Sequence, residues 1–201
     1  MLTRDSLAAG LARLANHMDS VADELNALDG QLGDGDLGIT MVRGGRAVRD
    51  LLSDLPVDLG QALLQVAQAF TRTSGSSFGT LTATGLMAAA KALKGREAAD
   101  WSETSALLMA AFEVMRMRGK ADLGDKTVLD TLHAAATATE GLTDAAEIRT
   151  AALTAVIGTM DRMRGKHARI GRARIFGEKS VGLDDPGMRA FLHMLRGIAP
   201  P

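Results

Sequence analysis

Three aspartates fall within eight residues, Asp29, Asp34 and Asp36, in the stretch Leu28-Asp29-Gly30-Gln31-Leu32-Gly33-Asp34-Gly35-Asp36-Leu37-Gly38. No Lys or Arg stands among them. Two unit charges 4 Å apart repel by about 1 kcal/mol even in water. A divalent cation removes that cost, and a set of oxygen ligands suits Mg²⁺ or Ca²⁺. The intervening glycines let backbone and carboxylates converge on a small centre. The pattern is not an EF-hand, because the twelfth position counted from Asp29 is Thr40 rather than Glu. Taken alone, the stretch also reads as a solvated Asp/Gly turn.

Three further connections are richer in Gly, Ser and charge than turn-making requires. Thr73-Ser74-Gly75-Ser76-Ser77-Phe78-Gly79-Thr80 precedes a helical pattern. Backbone N–H groups and hydroxyls at a helix N-terminus attract anions. Beside a metal loop, this suggests a metal-bridged phosphate. No G-x-x-x-x-G-K-[ST] pattern occurs, and no G-x-G-x-x-G follows a strand, so any nucleotide is bound outside those two folds. Gly124-Asp125-Lys126-Thr127 also opens a helix. There Asp125 is an N-cap, or Lys126 meets phosphate. The last connection, Gly171 to Gly187, carries Arg172, Arg174 and Lys179 and is long for a helix link. Its basic residues form a phosphate clamp or a solvated surface.

The elements that must position these loops are helices. Leu7, Leu11, Leu14, Met18, Val21 and Leu25 recur at steps of three and four. Similar patterns place helices near 39–52, 59–71, 79–93, 102–119 and 127–139. Ser102 is the expected N-cap and Gly119 the expected C-cap of the fifth. Asp144 with Glu147 has capping-box spacing and opens a seventh. Pro186 suits the first turn of an eighth. Only Arg174 to Phe176 reads as faintly extended. The expected fold is all-α: eight antiparallel helices in an up-and-down bundle or barrel, one domain over 1–201. Helices joined by short links alternate in direction. The loops after helices one, three, five and seven therefore share one end, and they are the four enriched loops. Parity alone predicts one site at one end.

Composition narrows the function classes. Hydrophobic residues are 46% and charged residues 23%; 23 Lys+Arg against 24 Asp+Glu leave a net charge of −1. No global basic field exists for nucleic acid or an anionic membrane. Aromatics are 3%, too few for a base-stacking platform. The absence of cysteine excludes disulfides, a thiolate nucleophile and Cys-ligated metal. Neither a signal core nor a run of about 20 mainly apolar residues is present, which places the chain in the cytoplasm. His17, His133, His167 and His193 fall outside the loops or at their edge, and helix-surface positions are expected for them.

These residues resemble a known family, the nucleotide-binding L subunit of dihydroxyacetone kinase and the equivalent domain of the single-chain kinases. The resemblance rests on LDGQLGDGDLG at 28–38, SGSSFGT at 74–80, GDKTVLD at 124–130 and GRARIFGEKSVGLDDPG at 171–187, in that order. It implies an eight-helix barrel with Mg²⁺ (one or two ions) and ADP or ATP at one end. Asp29, Asp34 and Asp36 then hold the metal against the phosphates, with Arg172 completing the catalytic set. Leu37, Gly38 and Thr40 adjoin the phosphates. Ser74, Gly75, Ser76, Ser77, Gly79 and Thr80 form the phosphate turn. Gly124, Asp125, Lys126, Thr127 and Leu129 lie near base and ribose. Arg172 and Lys179, with Asp185, Pro186 and Gly187, belong to the loop that covers the nucleotide. Many members carry His at the position of Leu37 and Asn at that of Thr40, and Ser76-Ser77 also departs from the usual phosphate turn.

The resemblance further implies a partner K subunit that holds dihydroxyacetone or a related ketose. It allows two donors: ATP as co-substrate, or a resident ADP recharged by an M subunit of the phosphotransferase system. The competing reading from another class is a nucleotide-loaded module that regulates a partner without turnover. A Mg²⁺-dependent phosphohydrolase needs an activated water, and the loops offer no general base beyond the metal ligands.

Overall fold

The computed structural model describes residues 1–73 and 75–198. Among them are eight α-helices: α1 (Arg4–Leu32), α2 (Leu37–Arg49), α3 (Leu59–Thr73), α4 (Ser77–Ala92), α5 (Thr104–Gly119), α6 (Val128–Ala138), α7 (Ala145–Arg164) and α8 (Pro186–Ile198). Each helix packs on the next, and α8 returns to α1, which closes the ring. The all-α antiparallel barrel expected from the sequence is thus the observed fold. One small feature is new: β1 (Leu2–Thr3) pairs antiparallel with β2 (Ala98–Ala99) and ties the start of α1 to the α4–α5 link.

The apolar stripes that define the helices fill the core. Leu7, Leu11, Leu59, Val66 and Leu93 pack between α1–α4, and Phe112, Leu129, Leu132, Val156 and Phe191 between α5–α8. Met18, Leu25, Leu37, Met41 and Phe70 pack with Ala190 of α8 and join the two halves. Burying a side chain of this size stabilises by about 1.5–3 kcal/mol relative to leaving it exposed, so the closed ring rests mainly on these contacts.

Several helix boundaries differ from expectation. The first helix does not stop before Asp29 but runs to Leu32, because buried Leu25 and Leu32 carry the stripe past Gly30. Ser102 is not a cap. Asp100 and Glu103 form a capping box around a 3-10 turn, Trp101–Glu103, that leads into α5. Gly119 is the last residue of α5, and Lys120 takes the left-handed position with φ 51°. Asp144 caps α7 as expected, accepting the N–H groups of Ala146 and Glu147. Residues 174–176 are not extended but lie in a 3-10 segment, Arg172–Ser180. His193 is not at the surface; it is buried between α8 and α1, 3.2 Å from Glu24 and 3.1 Å from His17. No helix among the described residues is long and apolar enough to cross a membrane.

Candidate functional site

The alternation of helices gathers the four enriched loops at one end, where they line a single cleft of about 190 Å³. Helices α2, α4, α6 and α8 all begin there, and the first residues of each face the cleft: Leu37, Ser77, Val128 and Pro186. Four positive helix ends therefore converge on one space, which favours a multiply charged anion.

At one side of the cleft, Asp29, Asp34 and Asp36 bring carboxylate oxygens within 4.8 Å of one another. Asp29 belongs to the last turn of α1, where its Oδ2 accepts the N–H groups of Asp36 (3.0 Å) and Leu37 (3.3 Å). Asp36 heads α2, yet its carboxylate makes no capping hydrogen bond and is left facing the cleft. The turn between them uses Gly35 at φ +75°. Gly38 lets α2 lie on α1: a Cβ there would come 2.0 Å from the Ala22 carbonyl oxygen. Asn26 Oδ1, on α1, accepts the Ile39 N–H and completes the joint. A convergent all-oxygen donor set fits Mg²⁺. The sequence shows no cation within this loop, but the fold supplies one: Arg172, from the α7–α8 connection, pairs with Asp34.

The phosphate-turn candidates are placed differently. Ser76 and Ser77 line the cleft. Ser76 also caps α4, its Oγ accepting the Gly79 N–H at 3.0 Å. Gly79 and Thr80 sit in the first turn behind them, and the Thr80 hydroxyl donates to the Ser76 carbonyl. Gly75 is exposed with open space around it. Ser74 lies outside the described residues. Gly38 and Thr40 are likewise buried in α2 behind Leu37.

The third loop differs most from expectation. Lys126 does not face the cleft. Its side chain is 1% exposed, and Nζ donates to the carbonyls of Lys166 (2.8 Å) and Ser180 (2.7 Å). It is a strut that ties this loop to the last one, and burial lowers its pKa against the pull of Asp185 and Asp184. Asp125 is not the cap of α6; its Oδ2 accepts the Asp122 N–H, and Thr127 caps the helix through a box with Asp130. Asp130, which sequence reasoning passed over, accepts the N–H groups of Gly124 and Thr127 at 2.6 and 2.9 Å. Gly124, Asp125 and Lys126 thus shape the loop, while Thr127 and Leu129 reach the cleft.

In the last connection, Arg172, Asp185, Pro186 and Gly187 line the cleft, and Lys179 is exposed away from it. Asp184 anchors the segment by pairing with Arg164 and Arg189. Asp185 Oδ1 accepts the Met188 N–H at 2.9 Å and caps α8. Burial pushes its pKa up to about 7, against the opposing effects of that N–H and of Lys126. Sequence reasoning missed the apolar wall. Leu81, Val128 and Ile170, with the small Gly119 and Ala121, also line the cleft. Their signal was invisible because each belongs to a helix stripe or a loop that reads as ordinary core.

Comparison with known proteins agrees with this geometry. Residues 31–200 match the DAK2 domain. The chain is 31% identical to the human protein named triokinase/FMN cyclase, over 96% of this chain and 36% of that one. It is 27% identical to the Escherichia coli ADP-binding subunit DhaL of PEP-dependent dihydroxyacetone kinase, over 98% of this chain and 97% of that subunit. The fold superposes on the dihydroxyacetone kinase of C. freundii in complex with AMP-PNP and Mg²⁺ with a TM-score of 0.74 at 26% identity, covering 96% of this chain and 33% of that one. The chain thus spans about a third of the length of the triokinases and of the C. freundii enzyme. With the motifs in order, the ring of eight helices and a match over most of its length, this chain belongs to the DAK2 domain family.

Proposed function

We propose that the cleft binds Mg²⁺ with ADP or ATP. The chain would then be the nucleotide-binding part of a dihydroxyacetone kinase-type phosphotransferase, delivering a phosphoryl group to an alcohol of dihydroxyacetone or a related ketose. The observation that carries this reading is the convergence of three carboxylates within 4.8 Å at the mouth of a cleft where four helices begin. The E. coli relative, an ADP-binding subunit of nearly the same length, and the C. freundii enzyme holding AMP-PNP and Mg²⁺ support it.

Phosphoryl transfer needs positioning and charge neutralisation more than a covalent nucleophile. Asp29, Asp34 and Asp36 would hold the metal, which when bound neutralises phosphate charge. Ser76, Ser77 and the N-terminus of α4 would fix the phosphates. Arg172 reaches the same corner and supplies a permanent positive charge. Leu81, Val128, Leu129 and Ile170 offer the nucleoside an apolar bed. The acceptor would lie on a partner K subunit or domain, in the cytoplasm. The donor side would use ATP directly or a resident ADP recharged by a phosphotransferase-system M subunit.

Calorimetric titration of ADP and ATP onto nucleotide-free protein, with Mg²⁺ and then with chelator, tests the reading. Tight binding that chelator abolishes is expected. A strong preference for ADP favours the recharged mode, and free exchange with ATP favours the co-substrate mode. Folded protein that binds neither nucleotide would sink the proposal. Metal-dependent binding without phosphoryl transfer, when a K subunit and dihydroxyacetone are added, would favour the regulatory module instead.

A further inference from the structure

The three carboxylates of the cluster are held in different ways. Asp29 is fixed by two backbone N–H groups, and Asp36 makes no capping hydrogen bond. Among the described residues, Asp34 is the one of the three paired to a cation, the guanidinium of Arg172. That guanidinium cannot shed its charge by deprotonation. Its backbone is also pinned: the neighbouring Ala173 is 6% exposed and packs with Leu32, at the end of α1, and with Ala168. The side chain beyond that anchor is 60% exposed. Arg172 therefore carries an exposed charge on a buried base, within reach of both the carboxylates and the cleft.

We propose that Arg172 competes with the divalent cation for Asp34 and, once displaced, takes the phosphate as its partner. It would then oppose binding of the metal alone and assist binding of the metal–nucleotide complex. The inference rests on the reading of Asp29, Asp34 and Asp36 as the metal site. Its physical basis is simple. Two cations on one small carboxylate repel each other, whereas a guanidinium and a phosphate form strong paired hydrogen bonds. Divalent cation and nucleotide would thereby be drawn in together, and loading by the bare ion would be suppressed. A residue with a purely structural role would change both affinities in the same direction. A competing residue changes them in opposite directions.

The test is an electron paramagnetic resonance titration with Mn²⁺, which reports free ion directly, on the full chain and on Arg172→Gln and Arg172→Lys. Circular dichroism confirms that the helices are unchanged. With Mn²⁺ alone, Arg172→Gln should bind about fivefold tighter than the parent, the scale of an exposed charge pair, and Arg172→Lys should stay near the parent. With Mn²⁺ and ADP together, Arg172→Gln should bind about tenfold more weakly, the scale of one charge-assisted contact. If Arg172→Gln binds Mn²⁺ alone no tighter than the parent, competition is wrong while the metal site stands. If the parent binds Mn²⁺ neither alone nor with ADP, the metal site itself falls and takes this inference with it.

Discussion

The two ends of the barrel are built from the same eight helices and differ in how much charge they gather beyond what the fold uses. At the end away from the cleft, polar groups are consumed by the fold. Asp58 accepts the N–H groups of Gln61 and Gly95 at 3.0 and 2.9 Å, which holds its carboxyl below the usual carboxylate range. Arg96 and Glu103 form a two-pronged pair at 2.6 and 2.7 Å, and Asp144 caps α7. At the cleft end Asp130, Asp184 and Asp185 are used in the same way, but Asp29, Asp34 and Asp36 are also crowded into one small volume, and among the described residues Arg172 is the one cation paired with them. The difference shows where the chain keeps binding capacity. Charge that completes a cap or a pair stabilises the fold, and carboxylates crowded together beyond that use mark a candidate ligand site.

That contrast is broken most sharply by removing a cluster carboxylate. Asp36→Asn should lower Mg²⁺-dependent ADP affinity by about 100-fold, the upper end of the loss seen when even the close support of a metal ligand is removed. Its thermal midpoint should stay at or above the parent's, because the change relieves repulsion. Calorimetry with and without Mg²⁺, alongside a thermal melt, checks both halves. An Asp36→Asn protein that binds ADP like the parent would remove Asp36 from the metal set.

The next effect falls on the support behind the cleft. Lys126→Met keeps much of the side chain's volume but leaves the Lys166 and Ser180 carbonyls without their buried donor. Hydrogen bonds to a charged group contribute about 1.5–3 kcal/mol each, so loss of the two should lower stability by about 3–6 kcal/mol. Because this strut lies outside the cleft, the larger change should appear in denaturant unfolding. Loss of ADP affinity with no loss of stability would return Lys126 to the binding surface.

These predictions divide along the line between what the sequence shows and what it hides. Asp29, Asp34 and Asp36 were legible because glycine-spaced carboxylates are a local pattern. The common end of the four loops was legible because helix direction simply alternates. The Asp144 cap follows a rule confined to one turn. What was hidden depends on segments far apart in the chain. Lys126 reads as a loop lysine free to meet phosphate until Ser180, 54 residues on, takes its proton donors. Arg172 reads as one of several surface charges until the fold sets it against Asp34. His193 reads as a helix-surface residue until the ring closes between α8 and α1.

Acidity separates the two ends as well. At the cleft, burial raises the Asp185 pKa from 3.8 to about 7. A raised carboxyl binds its proton more tightly in the folded protein, so the nucleotide-free chain should lose stability as pH rises from about 4 to 7. The loss is at most about 4 kcal/mol for a shift of that size, less whatever the partly exposed edge recovers from water. Asp185→Asn retains an oxygen for the Met188 N–H and should flatten this slope. Urea unfolding of both proteins across that range decides the matter, and identical slopes would show that Asp185 titrates normally.

The opposite end should show the opposite sign and a smaller effect. Hydrogen bonds from Arg96, then from the Asp100 N–H, lower the Glu103 pKa from 4.5 to about 2. A depressed carboxyl contributes stability above its unfolded value, and that contribution disappears as pH falls from about 4.5 toward 2. Glu103→Gln should therefore be slightly less stable than the parent at pH 7 and converge with it near pH 2. Because the pair is exposed, salt should shrink the difference at pH 7. ADP affinity should be unchanged throughout, since Glu103 belongs to the end where charge completes the fold. A Glu103→Gln protein that lost nucleotide binding while remaining folded would mean that the two ends communicate through the barrel and do not act separately.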